Sequence, residues 1–243
     1  MKNNLTVVLF VAFGILKSQN GVYCEGEVKM EGLPKMFAKM MDMKIKSYNK
    51  KDKNLIEQET KKGPMKTLTV GDNVTFTNEN DCYEDKKSEI AKFMDNDFTF
   101  ENVVVKNYDE NKKILIYECK KAIITYIVKS KGTNTENEVV VWFTGNLEGV
   151  NNLAGVQGSE NDNDYIKALK NLNGCILSTE QTVKNTKTKA IYMITKLEFK
   201  DLADDIFKLD TKNCEKMMNY KEFRDLMKKR SLQAAIDRNL LGR

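Results

Sequence analysis

The chain has no histidine among its 243 residues, and only two prolines and one tryptophan. Without imidazole there is no Ser-His-Asp or Cys-His nucleophile system. There is also no imidazole metal ligand and no usual general base near neutral pH. Carboxylate-pair chemistry stays formally open. Nothing in the sequence, however, places two particular carboxylates together, and a sugar cleft is expected to display more aromatics than one tryptophan allows. The five cysteines, Cys24, Cys82, Cys119, Cys175 and Cys214, contain no C-x-x-C pair, which argues against a zinc ribbon or a thioredoxin-type site. No G-x-G-x-x-G, P-loop, H-E-x-x-H or G-x-S-x-G pattern occurs. No apolar run reaches the roughly 20 residues that a membrane-spanning helix needs. No basic stripe with interleaved aromatics stands out, so nucleic acid is not an expected partner. The reading is of a protein that is not an enzyme, needs no cofactor and holds no metal.

The first residues do carry a pattern. Lys2 precedes the apolar run Leu5 to Leu16, and a polar stretch from Lys17 closes it. A charged start, a short apolar middle and a polar exit are the signature of a secretory signal peptide. We assign it to residues 1–23, with cleavage anywhere from 18 to 24. Ser18 and Gly21 are small enough to precede the cut, whereas Tyr23 is too bulky for the position before a lipidated Cys24. Residues 24–243 then form a single exported domain, periplasmic or extracellular. Removing Lys2 and Lys17 lowers the formal charge from +5 to +3. In that compartment Cys82, Cys119, Cys175 and Cys214 are candidates for disulfides, in a connectivity that sequence leaves open. Buried free thiols are an equal alternative, because cysteine packs as a small apolar residue.

Alternation dominates the remainder of the chain. Met41, Met43 and Ile45 alternate with charged residues, as do Leu68 and Val70, Val74 and Phe76, and Ile191, Met193, Leu197 and Phe199 with polar ones. A period of two with one apolar face marks half-buried strands. Ala122 to Val128 and Val139 to Phe143 are apolar on both faces and read as central strands. Gly71-Asp72-Asn73, Asp109-Glu110-Asn111 and Gly132-Thr133-Asn134 read as turns joining an antiparallel meander. Three segments read as helices. They are Leu33 to Met41, Asp164 to Leu172, and a C-terminal stretch opened by Asn219 with Glu222 three residues on, a capping-box start. Asn146 to Asn163 reads as a long polar loop. The alternating acids at 160–164 lack the glycine and the glutamate of a calcium loop. Asn73-Val74-Thr75 matches the glycan acceptor pattern.

Several segments together resemble a bacterial exported family of unknown function with a lipoprotein-carrier-like (LolA/LppX-like) fold. They are Ile114 to Thr125, Glu138 to Leu147, Leu169 to Ile176, Ala203 to Leu209 and Tyr220 to Met227. The resemblance covers roughly residues 25 to 228. It departs at Asn173, where the family usually has proline, and in the longer 146–163 loop. It implies an α+β fold, mainly β, in which a strongly curved antiparallel sheet (an incomplete barrel) carries helices over its concave face. It implies a non-catalytic envelope protein that binds or carries an apolar, lipid-like ligand between sheet and helices. The Met-rich window 30–43 suits a pliable apolar wall. The residues expected to line the cavity are Met36, Phe37, Met40, Met41, Trp142 and Phe143. The alternative is a structural or protein-interaction component of the envelope with a filled core.

Overall fold

The structure is a computed structural model that describes residues 21–60, 63–78, 80–95, 99–130, 133–145, 147 and 163–241. Residues 1–20 of the segment read as a signal peptide, and the 146–163 stretch read as a polar loop apart from Leu147 and Asn163, lie outside the described residues. In chain order the elements are β1 (Gly21–Glu31), α1 (Lys35–Met41), β2 (Met43–Lys50), β3 (Lys53–Thr60), β4 (Gly63–Val70), β5 (Asn73–Asn78) and β6 (Asp81–Lys86). Then come α2 (Lys87–Asp95), β7 (Thr99–Ile114), β8 (Tyr117–Ser130), β9 (Thr133–Thr144), α3 (Asp164–Lys170), β10 (Cys175–Val183) and β11 (Lys189–Lys200). A 3-10 turn (Asp204–Phe207), β12 (Lys216–Met218) and α4 (Tyr220–Leu241) close the described chain.

All twelve strands belong to one sheet, in the order β12-β6-β5-β4-β3-β2-β1-β11-β10-β9-β8-β7. The sheet is not closed, and the fold is α+β, mainly β. It is mixed rather than wholly antiparallel, because β12 runs parallel to β6. The chain reaches β12 only after crossing back over the molecule, and the Cys82–Cys214 disulfide ties that crossing to β6. Register slips in β1–β11, β9–β10 and β7–β8 mark bulges, which bend a strand and sharpen its twist.

The alternating segments form strands, and Gly71-Asp72 makes the tight β4–β5 turn, with Gly71 at φ 58°. Asp109-Glu110-Asn111 does not turn the chain. It lies inside β7, where the slip between Tyr108 and Asn111 absorbs it as a bulge. The reversal comes instead at Leu115-Ile116, with Leu115 at φ 55°.

The helix starts obey local chemistry. Asn163 caps α3 by accepting from the Ile166 N–H at 3.0 Å. Asn219 and Glu222 form the reciprocal pair expected of a capping box. The Glu222 N–H donates to Asn219 Oδ1 at 2.9 Å, and the Asn219 N–H donates to Glu222 Oε2 at 3.2 Å. Pro34 precedes α1, and its carbonyl accepts from Phe37 and Ala38. At Asn173 the backbone is left-handed, φ 48°. Proline cannot adopt that angle, so the turn as it stands excludes proline at this position.

Candidate functional site

Cross-strand partners in a sheet share a face, so one face can be traced from strand to strand. From Val141 in β9 it runs through Thr179 in β10, Tyr192 in β11 and Val28 in β1. Cys24, four residues before Val28, lies on the same side of β1. From Cys24 the line continues through Ser47, Ile56, Thr67, Phe76 and Tyr83.

Two helices stand on this face. At one end, Ala168 and Leu169 of α3 pack on Ala122, Ile124, Val139, Val141 and Ile176. Beside them Tyr165 stacks on Phe100 at 5.4 Å. At the other end, Phe223 of α4 lies 4.9 Å from Tyr83 and 5.3 Å from Phe76. The opposite face carries the 3-10 turn, whose Phe207 joins Leu202 over Leu55, Tyr48 and Leu68. Asp204 fastens that turn to Lys53 at 3.1 Å and Lys50 at 3.5 Å.

Between α3 and α4 the helix-bearing face forms a buried floor that changes character along its length. Val22, Cys24, Val28 and Ile45 make it apolar. Next to them Ser47, Asn49 and Asn54 are buried polar groups. These form a ladder. The Asn54 side-chain amide donates to Asn49 Oδ1, and the Asn49 amide donates to Ser47 Oγ at 2.7 Å. Burying such groups costs little when they bond one another, and Thr69 continues the row opposite Asn54.

Tyr192 crosses this floor. Its ring lies over Gly26, where a Cβ would sit 2.7 Å from Cε2. The ring is buried, and desolvation raises its phenol well above the ordinary value. Beyond Met193 the strands β10 and β11 are no longer paired with each other, and β11 stays with β1 while β10 stays with β9. Leu177 is the extra residue of the β9–β10 bulge at that point. Side chains from both halves meet there: Val22, Cys24, Ile45, Tyr192 and Ile194 from one, Cys119, Trp142, Cys175 and Leu177 from the other. Trp142 is also capped by Lys112, 5.3 Å from its ring, and by Lys121 at 6.0 Å.

The cysteines divide unevenly. Cys82 and Cys214 are bonded to each other, while Cys24, Cys119 and Cys175 are buried in this one cluster outside any disulfide. Burial pushes the Cys24 thiol up to about 12 and raises Cys119 as well, so both are held protonated and inert. Among the described residues no group of three or more His, Cys, Asp or Glu could hold a metal ion. The carboxylates that shift, Glu27, Glu59, Glu198, Asp204 and Glu222, all shift down, chiefly through hydrogen bonds from lysines.

Of the six residues expected to line a cavity, the five whose side chains are described do not come together. Met36, Phe37 and Met41 are exposed, at 68, 53 and 37 % of their full surface. They lie on α1 at the β1–β2 tip, and Met40's side chain is outside the described residues. Trp142 is buried on the far side of β9 from Val141, and Phe143 is half-buried beside α3. Successive strand residues point to opposite faces, so Trp142 and Phe143 cannot line one wall. Sequence reasoning missed the polar ladder and Tyr192. A signal for the ladder existed, because Ser47 and Asn49 continue the parity of Met43 and Ile45. Two open grooves flank the other end of the sheet. One, of about 800 Å³, lies between Asn107, Lys120, Phe143 and Asn173, and one of about 550 Å³ lies by Tyr126, Glu136 and Thr182.

No family model matches this sequence. No curated protein sequence matches it either. Solved structures do, LppX among them. The structure of PNGF-II is 16% identical with a TM-score of 0.40, and the match covers 86% of this chain but 33% of that one. The chain thus spans about a third of that protein's length. The lipoprotein LppX of Mycobacterium tuberculosis is 10% identical, with a TM-score of 0.36 over 74% of this chain and 87% of LppX. An uncharacterized conserved protein from Thermus thermophilus is 8% identical, with a TM-score of 0.44 over 81% of this chain and 89% of that one. None of these approaches the similarity at which a function is transferred. Among the described residues no helix is long and apolar enough to cross a membrane.

Proposed function

We propose that this is an exported, non-catalytic protein that binds an apolar, lipid-like ligand on the floor between α3 and α4. The observation that carries the reading is the floor's two-part character. Val22, Cys24, Val28 and Ile45 form an apolar row, closed in this structure by the packing around Trp142 and opened when a chain enters, and the Ser47–Asn49–Asn54 ladder stands at its end. Sites for small molecules are mostly apolar, with a few polar groups that fix orientation. An amphiphile with one acyl chain and a polar head matches that order. Export is supported by the leader-like start of the sequence and by the Cys82–Cys214 bond, which suits an oxidising compartment.

A second reading is favoured by a specific observation. The cluster around Trp142 is filled by side chains from both halves of the sheet. If that packing never opens, the protein works through its surface as an interaction component of the envelope. Trp142 is the only tryptophan, so its emission separates the two readings. Fatty acids brominated along the chain quench it if they enter beside Val22 and Ile45. The apolar-ligand reading predicts saturable quenching that the Ile45→Asp variant weakens. Unchanged emission over the whole titration leaves the interaction reading standing alone.

A further inference from the structure

α1 stands out because its largest side chains face solvent. Met36 and Phe37 are 68 and 53 % exposed, and Met41 is 37 % exposed. The sheet claims another side of the helix. At 100° per residue Ala38 projects well away from Met36, and Ala38 is less exposed than Met36 and Phe37, although still at the surface. Lys35 and Lys39 share a third side, four residues apart. The exposed apolar arc is therefore bordered by the sheet on one flank and by lysines on the other.

The chain beneath this tip is pinned at two points. Gly32, at φ +76°, brings the chain so close to the β10–β11 turn that a Cβ would fall 1.7 Å from the Lys187 carbonyl oxygen. The Met30 N–H donates to Asp42 Oδ1 at 3.4 Å across the base of the loop. α1 is thus held out from the sheet end.

The surrounding charge is unbalanced. Lys29 pairs with Glu27 at 2.9 Å and Lys189 with Glu180 at 3.1 Å, which cancels those charges. What remains around the tip is Lys35, Lys39, Lys44 and Lys187 against Glu31 and Asp42. Large apolar side chains set in a basic rim are what the surface of an anionic bilayer selects. The apolar groups enter the headgroup boundary and the lysines stay with the phosphates.

We infer that the α1 tip is a docking surface for an anionic phospholipid membrane, through insertion of Met36, Phe37 and Met41. This goes beyond ligand binding on the floor and does not rest on it.

The test is co-sedimentation of the protein, purified after export from a secretory host, with phosphatidylcholine vesicles prepared with and without phosphatidylglycerol. The expected result is binding to the phosphatidylglycerol vesicles that raised salt weakens. A Met36→Ser/Phe37→Ser variant should bind about tenfold less or weaker still. A Lys35→Gln/Lys39→Gln variant should lose the preference for phosphatidylglycerol. These substitutions lie at the surface, so the variants should unfold at the wild-type temperature, which a melting curve checks. The inference is overturned if the wild type stays in the supernatant, or if the serine variant sediments as the wild type does. It is also overturned if light scattering finds a dimer that the serine variant dissolves, because the patch then belongs to a second copy of the chain. Native mass spectrometry of the same serine variant reads floor binding separately, so loss of docking and loss of ligand are distinguishable.

Discussion

The ring of Tyr192 lies directly over Gly26, and a Cβ at that glycine would come within 2.7 Å of the ring. The two residues sit on neighbouring strands beside the β1–β11 bulge between Glu25 and Gly26. The glycine leaves room for a buried aromatic that closes the floor between its two halves. Gly26→Ala should therefore overpack the site and destabilise the protein by about 1–3 kcal/mol. Urea unfolding monitored by Trp142 emission checks this. Adding Tyr192→Phe should leave the cost in place, because the clash is with the ring carbons as well as the hydroxyl. Adding Tyr192→Leu should relieve much of it.

The Cys82–Cys214 bond spans 132 residues of sequence and ties β6 to the segment leading into β12 and α4. Cys214→Ser should destabilise the protein by about 2–5 kcal/mol. Denatured, unreduced protein should show three reactive thiols, from Cys24, Cys119 and Cys175. The same thiols should react slowly with a thiol reagent in the native state and fast in urea.

Stability should fall on the alkaline side. The Cys24 thiol is pushed up to about 12 by burial, and burial raises Cys119 and Tyr126 too. An unfolded thiol ionises near about pH 8.5. Above that pH the unfolded state binds fewer protons than the native state, so stability declines as pH rises toward the folded value. Below it, the contribution of these groups is complete. Urea midpoints should drop between about pH 9 and pH 11. Cys24→Ala should flatten that slope while lowering stability at neutral pH through the lost packing.

β1 begins at Gly21, and Val22 is completely buried between β11 and β2. A cut after residue 23 or 24 would strip Val22 and Tyr23 from both ladders. Processing should therefore take the early part of the 18–24 window and leave Val22 in the mature chain. The intact mass of protein secreted from a host with a general export pathway reads this directly. A mature chain that starts at Cys24 or Glu25 would show that the first residues of β1 are dispensable.

Much of the fold was legible because period-two alternation records which side of a strand is buried. Val74 and Phe76, or Ile45 before them, needed no tertiary information. The Asn219–Glu222 cap was legible because it is a local bond between residues three apart. The α2 helix was not, although Ile90, Phe93 and Met94 fall at helical spacing, because Lys87 to Asp95 is short and follows directly on an acidic cluster that reads as a loop. The bulge in β7 carries turn residues, and only its pairing with β8 shows that the chain does not reverse there. The site was harder still. Which face of β9 meets which face of β1 depends on the bulges crossed on the way, so Trp142 and Phe143 group together in sequence although they point apart. Met36 and Phe37 read as inward-facing because an amphipathic pattern fixes a stripe and not the partner it meets.

The claim that the floor holds an apolar ligand is tested most directly by native mass spectrometry of the exported protein, before and after organic extraction. The account predicts an adduct of lipid-like mass that is lost on extraction, returns on incubation with mixed envelope lipids, and is weakened by Ile45→Asp but not by Met36→Ser/Phe37→Ser. A bare polypeptide mass that stays unchanged after lipid incubation would contradict it.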